Sequence, residues 1–276
     1  MPKRAKQADE KYLFNVLSFA SEQQRLAFQK TIYPDNIFAT LGSAAELAQI
    51  VLRQKGVVLD SLLEDRLVAE ASDNPKQREI IATLRAAKKQ LMQLVLEVPK
   101  DLSEAAQKQR AAEKEKLSTE VEQLEGSPAR QVAGLGKARR ALTVTVPQVQ
   151  SVLPKQAVLI ELLRYSVYLG KRKFENRYGA IVIASTGEPK WVPLGTAVEI
   201  EKNVELYRKA ARGETDEQAL HSVLQNLYNQ IWSPIEKLLQ PSSKSIILSP
   251  DGALNFISFA TLLSASDEFL IQKYSM

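Results

Sequence analysis

Residues that could act as nucleophiles, general bases or metal ligands are sparse in this sequence. It contains no cysteine and a single histidine, His221, among 276 residues. The lack of cysteine excludes disulfides, thiolate metal sites and a cysteine nucleophile within the sequence. One histidine also excludes a multi-histidine metal centre. His221 lies inside a helical pattern, so we interpret it as an ordinary helix residue rather than a general base.

Serine and aspartate residues carry only weak chemical signals. Ser222, Ser249 and Ser258 adjoin apolar segments, but the sequence lacks the G-x-S-x-G elbow that exposes a strained serine nucleophile. Asp251, in the string SPDG, could act as a ligand or a base. The structural interpretation is stronger, because a short carboxylate satisfies turn amides and Gly252 supplies a backbone conformation that other residues avoid.

The remaining motifs also have structural interpretations. The string GLGKA (134–138) lacks the G-x-x-x-x-G-K-[ST] spacing of a phosphate-binding loop. Trp191 and Trp232 are single aromatic residues, which more often fill a core than stack on a ligand. We therefore predict no catalytic, cofactor-binding or metal-binding residues, and no bound cofactor.

Charge permits an acidic partner without requiring one. Lysine and arginine number 37 against 32 aspartate and glutamate residues, and 45% of the residues are apolar. The basic clusters are Lys3-Arg4, Lys137 with Arg139 and Arg140, and Lys171-Arg172-Lys173. Because none of them interleaves aromatic residues, we interpret them as solvated loops and keep nucleic-acid binding as a lesser alternative.

No apolar stretch is long enough for a membrane span, and the first ten residues are polar and charged without a following signal-peptide core. We therefore expect no membrane partner and a cytoplasmic location.

Apolar residues at helical spacing dominate the first half of the sequence. Two early stripes lie within 12–20 and 47–62. The clearest stripe predicts a helix that Asn74-Pro75 begins and Pro99 ends. Its members are Ile80, Leu84, Ala87, Leu91 and Leu94. A charged helix over 101–125 follows, and we expect it to pack against the preceding helix as an antiparallel hairpin rather than form a coiled coil with a partner.

The second half changes character after residues 126–140, whose glycines, proline and basic cluster predict a linker. Short apolar runs then alternate with helical patterns, which predicts an α/β layer with a largely buried sheet. Expected strands lie at 158–163, 178–184, 190–194 and 245–248, with a hairpin turn at 186–189. Expected helices lie at about 197–211 and after Thr215, where Thr215 and Gln218 fit a capping box.

Seven strings of the sequence carry a resemblance to a known family. They are LSFASEQQRLAF (17–28), LRQKGVVLDSLLEDR (52–66), AVLIELLRY (157–165), YGAIVIASTGEPKWVPLG (178–195), LYNQIWSPIEKLL (227–239), SIILSPDGALNFISFATLL (245–263) and FLIQKYSM (269–276). Taken in order, they resemble the CHAT family, caspase-like domains that commonly follow tetratricopeptide arrays in bacteria. The first two strings are similar to the helical segment that precedes such domains, and a serine, Ser258, stands where family members usually have a proline.

The resemblance implies a histidine–cysteine dyad of the kind found in caspases and separases. In the family, the histidine-glycine strand end and the later cysteine both follow the segment that matches 269–276. Neither position occurs in this sequence, so we expect a catalytically inactive piece of a larger protein, truncated or split. The intact parent would resemble a cysteine peptidase or a peptidase-derived signalling protein, with the helices coupling a repeat array to the protease domain.

We therefore predict an α + α/β chain. Residues 1–142 form a helical region, tetratricopeptide-like or a helical hairpin, with a linker. Residues 143–276 form the N-terminal part of an incomplete caspase-like sheet domain, in which Phe269-Leu270-Ile271 predicts a strand. The expected partners are proteins, either a repeat array or the complementary half of the domain, and not a small molecule. The alternative is a standalone interaction module whose unpaired strand edge is completed by a partner chain.

Overall fold

A computed structural model describes residues 13, 16, 17, 20–29, 35–70, 74–97, 99, 101, 103–134, 140–214 and 216–276. It divides into two compact units. The helical unit comprises Met1–Ile32 and Arg53–Thr143, and the sheet unit comprises Tyr33–Leu52 and Val144–Met276. The helices that precede the sheet in the chain are α1 (Glu22–Gln29), α2 (Asp35–Leu41), α3 (Ala44–Gln54), α4 (Val57–Glu70), α5 (Pro75–Leu96), α6 (Glu104–Gly134), α7 (Arg140–Thr143) and α8 (Val146–Val152).

The sheet follows, and helices surround it. Its strands are β1 (Ala157–Gly170), β2 (Lys173–Ala184), β3 (Lys190–Thr196) and β4 (Ser245–Ser249). The later helices are α9 (Ala197–Ala211), α10 (Glu217–Leu227), α11 (Ser233–Glu236) and α12 (Leu270–Lys273), with a π-helical turn at Tyr228–Trp232 and 3-10 turns at Gly252–Phe256 and Phe259–Thr261. The predicted α + α/β class is confirmed, whereas the tetratricopeptide-like arrangement stays a prediction.

The predicted helical hairpin is present in the helical unit. Asn74 caps α5 by accepting a hydrogen bond from the amide of Lys76, and Pro75 occupies the first turn. Near the connection, the Arg110 guanidinium of α6 donates to backbone carbonyl oxygens at the end of α5. Earlier in α5, Lys88 lies 2.6 Å from a carboxylate oxygen of Glu125, which comes later than Arg110 in α6. These two contacts define an antiparallel pairing.

The linker predicted at 126–140 is wrong for its first nine residues, since α6 continues through Gly134. Residues 135–139, which include most of the GLGK string, lie outside the described part. Glycine and proline lower helix propensity by roughly 1 and 3 kcal/mol, a local penalty that the rest of a long helix can outweigh. None of the described helices is long and apolar enough to cross a membrane.

The sheet has the order β3-β2-β1-β4, with β4 parallel to β1 and the other pairs antiparallel. Both of its faces are covered. Alternate residues such as Ile160 and Val182 face a core formed with α9, α10 and α11, whereas Leu159 and Ile183 face a second core formed with α2, α3 and α8. Double burial explains why β1 begins as a continuous apolar run rather than an alternating one.

The sequence pattern predicts only the apolar part of the first hairpin, which is longer in the structure. β1 and β2 pair from Val158↔Ala184 out to Gly170↔Lys173, well beyond the apolar runs. The two-residue turn consists of Lys171 and Arg172, both at positive φ. The predicted β2–β3 hairpin is confirmed, with Ile181 opposite Trp191.

Two local predictions near helix and strand ends need correction. The strand expected at Phe269-Leu270-Ile271 is instead the single helical turn α12, and Phe269 forms an isolated bridge with Leu263. The cap of α10 is Asp216, whose carboxylate accepts from the amide of Ala219 at 2.7 Å. The residue expected to cap it, Thr215, lies outside the described part.

Candidate functional site

The turn that follows β4 forms the most developed polar network of the sheet unit. The β1–β4 pairing ends at Glu161↔Ser249. Beyond that point, Asp251 Oδ2 accepts a hydrogen bond from the backbone N–H of Arg164 at 2.7 Å, and Oδ1 accepts from Gly252 N at 2.8 Å. The carboxylate therefore extends the link to β1 past the last strand pair. The bond to the amide of Gly252 fits the turn role predicted for Asp251, whereas the bond to Arg164 was not predicted.

Gly252 is required by its backbone and by its surroundings. Its φ of +54° lies in the left-handed region that favours glycine. A Cβ there would lie 2.5 Å from the hydroxyl oxygen of Tyr178. That hydroxyl accepts from the amide of Ala253 at 3.0 Å and donates to Glu201 Oε1 at 3.1 Å. Tyr178 thus joins the turn to β2 and α9.

Glu201 also holds the guanidinium of Arg164, whose Nε lies 2.8 Å from Oε1. This hydrogen bond raises the pKa of Arg164 further. Burial raises the pKa of Tyr178 to about 12, so its hydroxyl stays protonated at neutral pH. We name Asp251, Gly252, Arg164, Tyr178 and Glu201 the turn network. It holds a loop against the sheet and presents no activated nucleophile.

A partly buried carboxyl group lies close to the turn network. Asp35, the first residue of α2, belongs to the same unit as Asp251. Burial raises the pKa of Asp35 to about 6, and the charge of Asp251 acts in the same direction against a backbone hydrogen bond at Asp35. Near neutral pH this carboxyl group is ionised at a free-energy cost to the folded state.

We expect Asp35→Asn to stabilise the sheet unit by about 1–3 kcal/mol at pH 7. Below pH 3.8 the carboxyl group is protonated in both the folded and the unfolded chain, so it does not destabilise the fold. Between pH 3.8 and about 6 it ionises in the unfolded chain but stays protonated in the folded one, and the folded state loses stability as the pH rises. The advantage of the variant should therefore shrink as the pH falls through this window. Denaturant unfolding at several pH values measures it, with the exposed Glu188→Gln as control; parallel curves for wild type and Asp35→Asn would contradict the prediction.

A second cluster of polar side chains surrounds Glu236 on α11. Its oxygens accept hydrogen bonds from the hydroxyls of Tyr228 at 2.6 Å and Tyr274 at 2.8 Å, and from Lys273 Nζ at 2.6 Å. Burial acts to raise the pKa of Glu236, but these three donors outweigh it and lower the pKa. Nearby, the indole N–H of Trp232 is buried without a hydrogen-bond partner among the described residues. The cluster fastens residues 273–274 to the helical layer.

The residues singled out from the sequence do not converge. His221 lies on α10 and contacts Asp267 through Nε2 at 2.9 Å, with both side chains partly exposed. The hydroxyl of Ser222 donates to the carbonyl of Gln218 on the same helix. The amide of Ser258 donates to the hydroxyl of Tyr207. None of these contacts pairs a serine with the histidine.

The aromatic predictions have separate outcomes. Trp232 is fully buried in the core, as expected. Trp191 is partly buried and packs edge-on against Tyr165, with ring centroids 5.5 Å apart. Among the described residues, no three histidine, aspartate or glutamate side chains are placed to hold a metal ion.

Sequence reasoning missed most of the turn network. Only Asp251 and Gly252 carry a local signal, the SPDG turn. Arg164, Tyr178 and Glu201 come from two strands and a helix, and nothing in their spacing links them to the turn.

The architecture defines the class of protein: a helical region followed by a mixed four-stranded sheet covered by helices on both faces, with a Pro-Asp-Gly turn fastened at the end of β4. The model of the CHAT domain family matches residues 221–276. This C-terminal end of the chain is therefore similar to part of a CHAT domain, in agreement with the resemblance seen in the sequence. No curated protein and no solved structure matches the chain.

Proposed function

We propose that this chain serves as a non-catalytic scaffold in a CHAT-type, peptidase-related protein. The observation that carries the proposal is the family match at 221–276, which covers β4, the SPDG turn and the Glu236 cluster. In this proposal the caspase-like part begins at about residue 143, and the preceding helices couple it to a repeat array. A cytoplasmic location and a bacterial source stay predictions.

The chemistry of the side chains supports a scaffold rather than an active peptidase. A cysteine peptidase needs a thiolate next to a base, and the sequence has no cysteine. Its histidine forms a surface contact with Asp267, and Tyr178 holds its proton too tightly to act as a base near neutral pH. The turn network and the Glu236 cluster fasten chain segments to the sheet and to the helical layer.

Peptidase activity is the direct test. The purified chain, incubated with a diverse peptide library and followed by mass spectrometry, should produce no cleavage above a buffer control. His221→Ala should behave identically, and Gln225→Ala, which removes another contact to Asp267, is the matched control. Cleavage by wild type that disappears in His221→Ala and persists in Gln225→Ala would overturn the proposal.

A second candidate function, an interaction module completed by a partner strand, has its own observation. On the side of β4 away from β1, the amide of Ile246 donates to the carbonyl of Ser275 at 2.7 Å, and Ser275 N donates to the carbonyl of Lys244 at 2.9 Å. The two-residue alternation of a strand directs the amide of Leu248 to the same side. A further strand could therefore pair with this edge.

Proline substitution tests this candidate because it removes one amide at a time. Leu248→Pro should leave the β1–β4 pairing intact and abolish co-purification of a stoichiometric partner from the source cell. Ile247→Pro removes an amide that faces β1 and should instead unfold the strand. Retention of the partner by a folded Leu248→Pro variant would contradict the candidate.

A further inference from the structure

The tip of the β1–β2 hairpin, residues 168–174, has a strained turn. Its central residues Lys171 and Arg172 have φ values of +47° and +59°. A two-residue hairpin turn with two positive φ angles favours Asn-Gly, since other side chains are strained there. Lysine and arginine at these positions depart from the preference for Asn-Gly, and departures of this kind concentrate at functional sites.

Apolar side chains flank the turn and point into solvent. Tyr168, Leu169 and Phe174 are 59%, 56% and 68% exposed. Tyr168 and Phe174 are cross-strand neighbours on one face, with ring centroids 5.2 Å apart. Leu169 lies between Tyr168 and Gly170, where the pairing with β2 shifts register, so side chains do not alternate strictly there. The hairpin tip therefore exposes a pair of aromatic rings and a leucine.

Three exposed cations lie between these apolar residues. They are Lys171, Arg172 and Lys173, and no carboxylate of the described residues forms an ion pair with them. The backbone amide of Arg172 donates to the hydroxyl of Tyr168 at 3.4 Å. This bond does not involve the guanidinium of Arg172, an exposed residue. Because no aromatic residue interleaves this cluster, the sequence alone predicts solvated loop charge here.

We propose that the hairpin tip binds the surface of an anionic phospholipid membrane. Lysine and arginine are attracted to anionic headgroups, while tyrosine, phenylalanine and leucine favour the boundary between headgroups and acyl chains. The apolar residues lie within three positions of the turn, about 10 Å at 3.3 Å per residue. Each interfacial layer is roughly 5–8 Å thick. The long cationic side chains at the tip therefore reach the phosphates by extending away from the acyl chains.

The exposed leucine favours lipid over single-stranded nucleic acid. A stacking platform presents aromatic rings on one surface, with cations tracking the backbone beside it. Here an aliphatic leucine, which has no ring to stack on a base, is about as exposed as the tyrosine, and an apolar medium accommodates the leucine and the rings alike. The proposal goes beyond the scaffold function and requires no spanning helix, which was the ground for expecting no membrane partner.

Flotation with vesicles tests the proposal on the full chain. We expect binding to vesicles that contain about 30% phosphatidylserine, weakening with salt, and little binding to pure phosphatidylcholine. Changing Lys171, Arg172 and Lys173 to Gln should lower the partition coefficient about 100-fold. Changing Lys89, Lys114 and Lys116 to Gln makes the same change in net charge elsewhere and is the matched control.

A second pair of variants separates the apolar contribution from charge. Phe174→Ser should weaken vesicle binding about 5–10-fold, whereas Val198→Ser, at an exposed site on α9, should not. Lys171→Asn with Arg172→Gly relaxes the turn, so it should raise the melting temperature while weakening binding. A higher melting temperature together with weaker vesicle binding would show that the lost binding does not come from misfolding.

Three outcomes would overturn the proposal. They are no vesicle binding by wild type, equal binding by the tip and control variants, and binding of a single-stranded oligonucleotide but not of vesicles with loss in the tip variants. The last outcome would assign the hairpin tip to nucleic acid instead. None of them bears on the peptidase assay, so the scaffold proposal is tested separately.

Discussion

Arg25→Met should lower the free energy of unfolding of the helical unit by about 3–5 kcal/mol. Arg25 is 0% exposed, and its Nη2 lies 2.6 Å from Oδ2 of Asp65, which is 3% exposed. Its Nη1 donates to the hydroxyl of Ser61 at 2.7 Å, and its Nε donates to the carbonyl of Ala20 at 2.9 Å. Removing the guanidinium takes away the cation that lies against this buried carboxylate, which is the costly way to break such a pair.

The double variant Arg25→Met/Asp65→Leu separates the pair from its packing. Because replacing both partners by apolar residues removes the buried carboxylate as well, we expect the free energy of unfolding of the double variant to lie within about 2 kcal/mol of wild type. Denaturant unfolding followed by far-ultraviolet circular dichroism reports on helix, whereas both tryptophans lie in the sheet unit and their fluorescence reports on that unit. If the double variant is as unstable as Arg25→Met, the lost packing around position 25, and not the buried charge, accounts for the loss in free energy of unfolding.

This ion pair illustrates what the sequence pattern does not reveal. In the string LSFASEQQRLAF, the arginine at position 25 occupies what looks like a polar helix position. Its burial depends on α4, which supplies Ser61 and Asp65 from far along the chain. Sequence periodicity predicts which face of a helix is apolar, but not which polar residue a neighbouring helix will enclose.

Elements with local signals were predicted well. The helix over Pro75–Leu96 has a cap, a first-turn proline and an apolar stripe, and the β2–β3 hairpin has two apolar runs around a glycine-containing turn. The long β1–β2 hairpin lacks these marks, because its turn is Lys-Arg instead of Asn-Gly and its outer residues are exposed on both faces. Local reasoning therefore recovered the buried half of that hairpin and missed its tip.

The turn network shows the same limit at the level of the site. The SPDG string predicts a turn stabilised by its own carboxylate, and Asp251 does accept from the amide of Gly252. Its second oxygen and the hydroxyl of Tyr178 bind partners that only the folded sheet brings near. These contacts depend on the tertiary structure and have no local sequence pattern. The one trace of them in the sequence is Gly252, where any side chain would collide with Tyr178.

Gly179→Ala should destabilise the sheet unit by about 3 kcal/mol, because the position has no room for a side chain. A Cβ on Gly179 would lie 2.0 Å from Cη2 of Trp191, so the indole would have to leave its place across the strand pair and lose its edge contact with Tyr165. The φ angle of Gly179 lies outside the left-handed region, and alanine therefore adds no backbone strain. The loss should come from the collision alone.

A double-mutant cycle with Trp191→Val measures that collision directly. If Trp191 is the obstacle, Gly179→Ala should cost less than about 1 kcal/mol in the Trp191→Val background, which gives a coupling energy of about 2 kcal/mol or more. The buried Trp232 remains as the fluorescent probe of unfolding in both backgrounds. Equal costs in the two backgrounds would place the obstruction elsewhere. The glycine would then be required by β2 itself and not by the indole of the neighbouring strand.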